Sequence, residues 1–243
     1  MSGLHTHGRV TVAAAAVVLV AGAGVAAAAA APHSSPSPHL VSMAAAGRTH
    51  AALEVVSGTS FLDISVAKLG GTLLQASTPA GAPVRPVLSG SRLIVLSLTG
   101  DKPAGHGQSS SYAVRVVLSS AVTWSLDLAG GTQRTDVDLR GGRVGGIAVT
   151  AGSDIFDVSL PRPAGTLPFL FAGGASQFSL SLPGGVPVRV TAGGGAAFLT
   201  VDGQSLTGVA GGTVLTPPGW AAATARVDVD ATAGVSSLTV SRS

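Results

Sequence analysis

The chain has 243 residues, of which 46% are hydrophobic, only 10% are charged and none is cysteine. So much Val, Leu and Ala excludes a disordered chain, because it can bury enough surface to offset the entropy lost on ordering. The charge of +3 comes from 14 basic residues scattered among 11 acidic ones. Without a clustered basic patch, a nucleic-acid-binding protein is not expected, and without cysteine there is no disulfide framework.

Residues 1–31 have the pattern of an export signal. A polar head containing Arg9 precedes an uncharged, Ala-rich run from Val10 to Ala31, which ends at Pro32. This order is typical of a secretory signal peptide. Left uncleaved, the same run is long enough to span a bilayer of about 30 Å, and both interpretations place the rest of the chain outside the cytoplasm. We therefore predict a secreted or cell-envelope protein, with membrane contact only through residues 10–31 if they are retained.

Residues 32–47 are predicted to form a flexible linker, because Pro, Ser, His and Ala dominate them. We expect one folded domain over residues 48–243, since about 200 residues suffice for a single hydrophobic core. Its first half contains two alternating segments that predict strands, "TSFLDISVAKLGGTLLQAS" and "SRLIVLSLTG". Residues 100–111 are predicted to form a surface loop, and no segment after the export signal has a helical period.

An Ala-Gly step recurs in the second half of this domain. The steps begin at residues 129, 151, 172 and 192, at spacings of 22, 21 and 20, and another begins at residue 233, about two further periods on. Alternating apolar residues precede and follow each step, so each period holds two short strands with one apolar face. Stacking would bury these faces. We predict an all-β domain, a β-solenoid-like roll of two-strand repeats of about 21 residues that is most regular over residues 124–243.

The glycines of these steps are predicted to be corners between strands. A corner needs a positive φ or a close backbone approach, and glycine supplies both because it has no Cβ. A phosphate-binding loop is the functional alternative for "AGGG" and "RGGRVGG". Such loops lead from a strand into a helix, whereas each pair here leads into another strand. We therefore expect a structural role for them.

Candidate catalytic and metal-binding residues are few. Every histidine lies at or before residue 106, outside the regular repeats, so a Ser-His-Asp site would have to use His50 or His106, and no Gly-x-Ser-x-Gly motif is present. Calcium ligands could come from two aspartate pairs at i, i+2 on one strand face. The pairs are Asp136 with Asp138 and Asp228 with Asp230. We favour the interpretation that these aspartates are solvated residues on strand faces. We assign no catalytic, metal-binding or cofactor-binding residue and no cofactor.

One pair of carboxylates could serve an enzyme. Aligned repeats place Asp136 beside Asp157 on adjacent strands, about 4.8 Å apart, and two close carboxylates can act as acid and base on a polysaccharide. The pattern shows no flanking cation. A deep groove lined by these residues and an arginine would favour an enzyme, and a smooth face would favour a binding module.

Four segments resemble exported, actinobacterial-type proteins that carry a toastrack-like putative adhesin domain. The segments are "TWSLDLAGG", "FAGGASQFSLSLPGGVPVRVTAGG", "TPPGW" and "DVDATAGVSSLTVSR". The resemblance covers the chain from about Ala52 onward and implies a β-solenoid-like roll, but it supplies no functional residues.

These observations predict a non-catalytic structural or adhesin-like binding module whose partner is an unknown envelope component or protein. Two alternatives remain open. One is a polysaccharide-acting β-helix enzyme, and the other is the extracytoplasmic sensing domain of an envelope-stress system.

Overall fold

A computed structural model describes residues 37–100 and 112–243 of the chain. Within these ranges the protein consists of β-strands and turns without a helix, which confirms the all-β prediction. No helix suited to crossing a membrane occurs in the described ranges. The predicted export segment, and most of the predicted loop at residues 100–111, lie outside them. The strands are β1 (His39–Ala44), β2 (His50–Val55), β3 (Thr59–Ala67), β4 (Thr72–Thr78), β5 (Val84–Ser89), β6 (Leu93–Gly100), β7 (Ala113–Ser119), β8 (Thr123–Leu128), β9 (Thr132–Asp138), β10 (Arg143–Val149), β11 (Ser153–Ser159), β12 (Thr166–Phe171), β13 (Ala175–Leu182), β14 (Val188–Ala192), β15 (Ala196–Val201), β16 (Gln204–Val209), β17 (Thr213–Leu215), β18 (Arg226–Ala231) and β19 (Val235–Arg242).

The strands form two mixed sheets. Sheet A has ten strands in the order β1-β4-β7-β3-β9-β11-β13-β19-β15-β16, and sheet B has nine in the order β17-β14-β18-β12-β10-β8-β2-β6-β5. From β8 to β15, and again from β18 to β19, successive strands alternate between the sheets, and in this part of the chain we call a strand of sheet B with the strand of sheet A that follows it a rung. The rungs are β8–β9, β10–β11, β12–β13, β14–β15 and β18–β19. Neighbouring rungs run parallel, whereas antiparallel strands border the stack at both ends.

Equivalent apolar positions of neighbouring rungs lie side by side, as the repeat predicts. In sheet B, Ile147 pairs with Leu126 on one side and with Phe169 on the other. In sheet A, Val158 lies between Val137 and Leu180 in the same way. All of these side chains are buried. The period-two alternation therefore produces continuous apolar rows on the inner face of each sheet.

The two inner faces pack against each other in one hydrophobic core. Phe156 and Phe178 of sheet A contact Phe169 and Phe171 of sheet B. Phe171 and Phe178 are stacked with ring centroids 4.5 Å apart, and Phe156 meets Phe169 edge-on at 6.4 Å. Because aromatic pairs prefer such offset and edge-to-face geometries, these four rings fix how the sheets meet near the middle of the stack.

The Ala-Gly steps are the corners where the chain passes from sheet B to sheet A, as predicted. At the corner of the β12–β13 rung, Ala172 donates its N–H to the Val149 carbonyl at 2.8 Å, so the parallel ladder continues into the turn. A Cβ on Gly173 would overlap the Ala151 carbonyl oxygen of the corner below, and Gly174 has a φ of +69°. Glycine is therefore needed for close approach at one position and for conformation at the next.

The order of the last rungs differs from the sequential stack that the period predicts. The β18–β19 rung, which comes last in the chain, lies between the β12–β13 rung and the β14–β15 rung. Residues 202–225, expected to hold further repeats, instead form the turn before β16, the strands β16 and β17, and a loop. Any rung with a matching apolar inner face can occupy a stacking position, so the repeat cannot reveal its neighbour.

The predicted linker at residues 32–47 is wrong over much of its described part. Strand β1 pairs antiparallel with β4, with Val41 opposite Ala76. Val41 and Met43 pack against the core, because β1 alternates as the other strands do. The folded unit therefore begins before residue 48.

Candidate functional site

The predicted neighbouring carboxylates occur on the outer face of sheet A. Asp136 on β9 and Asp157 on β11 are direct register partners, and Asp63 on β3 extends the row on the other side of Asp136. The sequence prediction found the first two residues and missed the third. Its signal is the alternating "FLDIS" of β3, which has the same form as "RTDVD" of β9.

Contrary to the sequence prediction, a cation flanks these carboxylates. The Arg134 guanidinium lies 2.7 Å from Asp157 Oδ2 and donates from Nε to Asp136 Oδ2 at 3.2 Å. Hydrogen bonding to Asp136 raises the pKa of Arg134. Asp136 Oδ1 is shielded from solvent, and although it lies 3.0 Å from Arg134 Nη2 it makes no well-aligned hydrogen bond, so that contact is electrostatic. The same row continues onto β7, where Arg115 Nε donates to Asp63 Oδ2 at 3.0 Å.

These ion pairs lie on an open strand face. The side chains of Asp136 and Asp157 are each 37% exposed, and that of Arg134 is 45% exposed. Each carboxylate is directed at a guanidinium, so a substrate proton would compete with a permanently charged partner. The arrangement suits a neutralised surface, and neither Asp136 nor Asp157 lines the large groove found in the described residues.

Three of the four aspartates considered for calcium are bound by arginines, Asp136 by Arg134, Asp138 by Arg140 and Asp228 by Arg189. Asp138 accepts two hydrogen bonds from the Arg140 side chain, at 2.9 and 2.6 Å, which lower the pKa of Asp138. Asp228 is bound by both Nε and Nη2 of Arg189. In the described residues no three His, Asp or Glu side chains cluster closely enough to hold a metal ion. His50 lies at the start of β2 and contacts Thr49 at 3.0 Å, whereas His106 is outside the described residues.

A groove of about 930 Å³ lies instead at the other end of sheet A, which sequence reasoning did not find. Its floor comes from the ends of β15 and β19, and its walls come from the segments that precede β14 and β18. The described lining residues are Gly185, Val186, Pro187, Thr200, Asp202, Gly203, Pro217, Pro218, Gly219, Ala223, Thr239, Val240, Ser241 and Arg242.

The Asp202–Gly203 turn forms one end of the groove. These residues join β15 to β16 in a two-residue hairpin with φ values of +52° and +83°, the conformation of a type I′ turn. Arg242, near the end of the chain, binds both carboxylate oxygens of Asp202 at 2.6 and 2.7 Å. It also donates to the Val186 carbonyl. One guanidinium thus connects the hairpin, the C-terminal strand and the wall before β14.

Trp220 anchors the wall of the groove that is formed by the loop preceding β18. Its indole N–H donates to the Val227 carbonyl at 3.1 Å, and two guanidinium groups lie over the ring, that of Arg189 at 4.0 Å from the ring centroid and that of Arg226 at 4.4 Å. Hydrogen bonding to Asp228 raises the pKa of Arg189. Cations over the face of an indole are attracted to its π-system and so stabilise its position. The anchored loop therefore presents its two prolines at a fixed place beside the floor.

The groove depends on the unexpected rung order. Its floor strands are neighbours only because β19 pairs with β15, although β19 comes last in the chain. Two local signals were available in the sequence, the hairpin-forming Asp-Gly and the segment "TPPGW". Neither indicates the long-range pairing that brings them together.

The fold is similar to that of a putative cell adhesion protein from Clostridium sporogenes, with a TM-score of 0.66, 15% sequence identity, and coverage of 86% of this chain and 100% of that chain. A putative adhesin from Bacteroides fragilis is 9% identical over 85% of this chain and 99% of that one, and at its TM-score of 0.23 the likeness carries no structural argument. No protein-family model and no curated protein matches the sequence. The first comparison shows a shared fold, in agreement with the adhesin-like resemblance, whereas the actinobacterial type receives no support.

Proposed function

We propose that the protein is a non-catalytic, adhesin-like binding module, exported to the cell surface or medium, in which the two sheets form a solenoid-like roll. Its partner is a component of the cell envelope. The shared fold with the Clostridium protein supports the architecture. The export pattern of residues 1–31 supports the location.

The observation that carries this proposal is that the neighbouring carboxylates and the large groove lie in different places on the protein. The carboxylates that an enzyme would use, Asp136 and Asp157, lie on an open face and are bound by Arg134. The groove at the far end of the sheet is lined by hydroxyls, prolines and glycines, and its carboxylate is bound by Arg242. Such a lining suits recognition better than proton transfer, because a general acid or base needs a free carboxyl or imidazole group.

One observation favours the polysaccharide enzyme as a second candidate. Arg134 lies across the adjacent carboxylates of Asp136 and Asp157, where a cation could bind a charged sugar unit. A substrate that displaced the guanidinium would free two neighbouring carboxylates. The two candidates make opposite predictions about turnover.

The test combines binding with turnover. The protein is incubated with cell-envelope preparations, co-sedimentation is measured, and release of reducing ends is followed on a panel of envelope and plant polysaccharides. We expect co-sedimentation without release. Turnover that is lost in Asp136→Asn or Asp157→Asn would establish the enzyme, and absence of any envelope binding would contradict the module. Mass spectrometry of the native N-terminus would show whether residues 1–31 are removed.

A further inference from the structure

The floor of the groove carries a regular array of hydroxyl groups. Thr239 on β19 and Thr200 on β15 are direct register partners, so their Cα atoms lie about 4.8 Å apart. Ser241 follows two residues along β19 on the same outer face, and Thr200 Oγ1 lies 2.9 Å from Ser205 Oγ. Each hydroxyl can donate one hydrogen bond and accept others. This spacing matches a ligand that itself carries repeated hydroxyl groups.

The groove is electrically neutral. Among its described lining residues only Asp202 and Arg242 are charged, and they bind each other through two hydrogen bonds. Three of the five N–H groups of Arg242 are used by Asp202 and the Val186 carbonyl, which leaves two for a ligand. A charged ligand would have no uncompensated opposite charge to meet here. An uncharged polar ligand would still find planar donors and acceptors at fixed positions.

The walls supply apolar surface beside these polar groups. Pro217 and Pro218 come from the loop held by Trp220, and Pro187 comes from the segment whose Val186 carbonyl accepts from Arg242. A pocket with apolar walls and a few fixed polar groups is the usual form of a small-ligand site. A sugar ring has the complementary surface, because its edge carries hydroxyls and its face carries C–H groups.

The backbone of the floor favours a saccharide over an extended peptide. Strand β19 is paired on both sides, with β13 and β15, and β15 is paired with β19 and β16. Peptides that bind sheets generally add a strand to a free edge, and these floor strands offer none. Recognition must therefore use side chains, which here are hydroxyls and a neutral ion pair.

From these observations we infer that the groove binds a neutral oligosaccharide, with Thr200, Thr239 and Ser241 contacting its hydroxyls and the Asp202–Arg242 pair closing one end. This inference rests on the proposed binding function and names the ligand class of the groove.

The experiment uses the full chain, a panel of short neutral oligosaccharides (glucose, mannose, galactose and N-acetylglucosamine series), acidic oligosaccharides and unstructured peptides, with binding measured by calorimetry. The key variant is Thr239→Val, which removes one hydroxyl and keeps the shape of the side chain. Thr191→Val is the matched control, because Thr191 is also half-buried on the outer face of a strand paired on both sides but lies outside the groove lining.

We expect at least one neutral series to bind, Thr239→Val to weaken that binding about tenfold, and Thr191→Val to leave it unchanged. Equal melting temperatures of the two variants would show that folding is not the cause. Failure of every neutral series, preference for peptides or acidic sugars, or an equal effect of both variants would overturn the saccharide assignment. Envelope co-sedimentation that survives such a failure would leave the binding module standing, whereas its loss would refute the module as well.

Discussion

One register row on the outer face of sheet A has two different halves. On β3, β9 and β11 it carries Asp63, Asp136 and Asp157, which are tied to arginines, and on β13, β19 and β15 the same row continues as Ser179, Thr239 and Thr200. From β8 to β13 the rungs stack in chain order. In the hydroxyl half the β18–β19 rung is inserted between the β12–β13 and β14–β15 rungs. The loop that precedes β18 in the chain forms one wall of the groove. The regular repeat therefore builds the scaffold, whereas the break in rung order brings together the residues that line the groove.

The largest expected effect comes from placing a charge in the inserted rung. Val229 on β18 is fully buried between Phe169 and Val190, whereas Val214 on β17 is 52% exposed at the sheet edge. We expect Val229→Asp to lower the free energy of unfolding by about 4 kcal/mol, because it buries an unpaired charge among apolar side chains. Val214→Asp should change it by less than about 0.5 kcal/mol. Urea unfolding measures both, and similar losses would mean that β18 is not a central strand.

The two tryptophans allow the regular rungs and the groove loop to be compared directly. Trp124, in the β8–β9 rung, is 1% exposed, and Trp220, in the loop that forms one wall of the groove, is 8% exposed. We expect Trp220→Ala to cost about 3 kcal/mol and also to expose residues 216–225 to protease. Trp124→Ala should cost at least as much without exposing that loop selectively. If limited proteolysis cleaves the loop equally in both variants at a temperature where both are folded, Trp220 does not anchor it.

The sequence predicts the two-strand repeat and its corners because both depend on residues that are close along the chain. Alternation such as Ile147 with Val149 assigns the inner face, and Ala-Gly marks the turn. Rung order is different, because the inner faces of β12, β14 and β18 are all apolar and each could neighbour another. Only one of the two carboxylate partners of Arg134 could be predicted from the sequence. Asp136 lies two residues away, whereas the bond to Asp157 depends on the register between strands.

The hydroxyl groove was missed for the same physical reason. Thr200 and Thr239 are 39 residues apart in the chain and become neighbours only through the insertion. A serine or threonine on an outer strand face is normally a solvated surface residue, so neither position by itself predicts a binding site. The Asp202–Gly203 hairpin could have been predicted, because Asp-Gly between two alternating runs favours a type I′ turn.

A smaller effect is expected at the corners of the regular half. Gly173→Val should lower stability by about 1–3 kcal/mol, because the new side chain would overlap the Ala151 carbonyl and force the backbone to shift. Gly165→Val is the control, since a Cβ there meets no atom within 4 Å and its φ is not positive. Thermal unfolding should separate the two variants, and equal melting temperatures would refute the close-packed corner.

The smallest effect concerns the exposed ion pairs of the regular half. Arg140 lowers the pKa of Asp138 in the folded state, so the stability from this pair is complete above the unfolded pKa of about 3.9 and is lost as pH falls through the lower folded value. Because the Asp138 side chain is 48% exposed, we expect less than about 1 kcal/mol. Asp138→Asn should remove this part of the acid dependence. A parent and variant with identical stability from pH 5 to pH 2 would contradict the pairing.

The position of the inserted rung can be measured by cross-linking, since the chain has no cysteine of its own. On the outer face of sheet A, Ser237 of β19 is the register partner of both Gln177 on β13 and Phe198 on β15. Mild oxidation should therefore link Gln177→Cys with Ser237→Cys, at the separation of about 4.8 Å between neighbouring strands, which lies within the range of disulfides. Gln177→Cys with Phe198→Cys should stay reduced, because β19 lies between them. A link between residues 177 and 198, with none between residues 177 and 237, would show that the rungs stack in chain order and would contradict both the insertion and the groove that it creates.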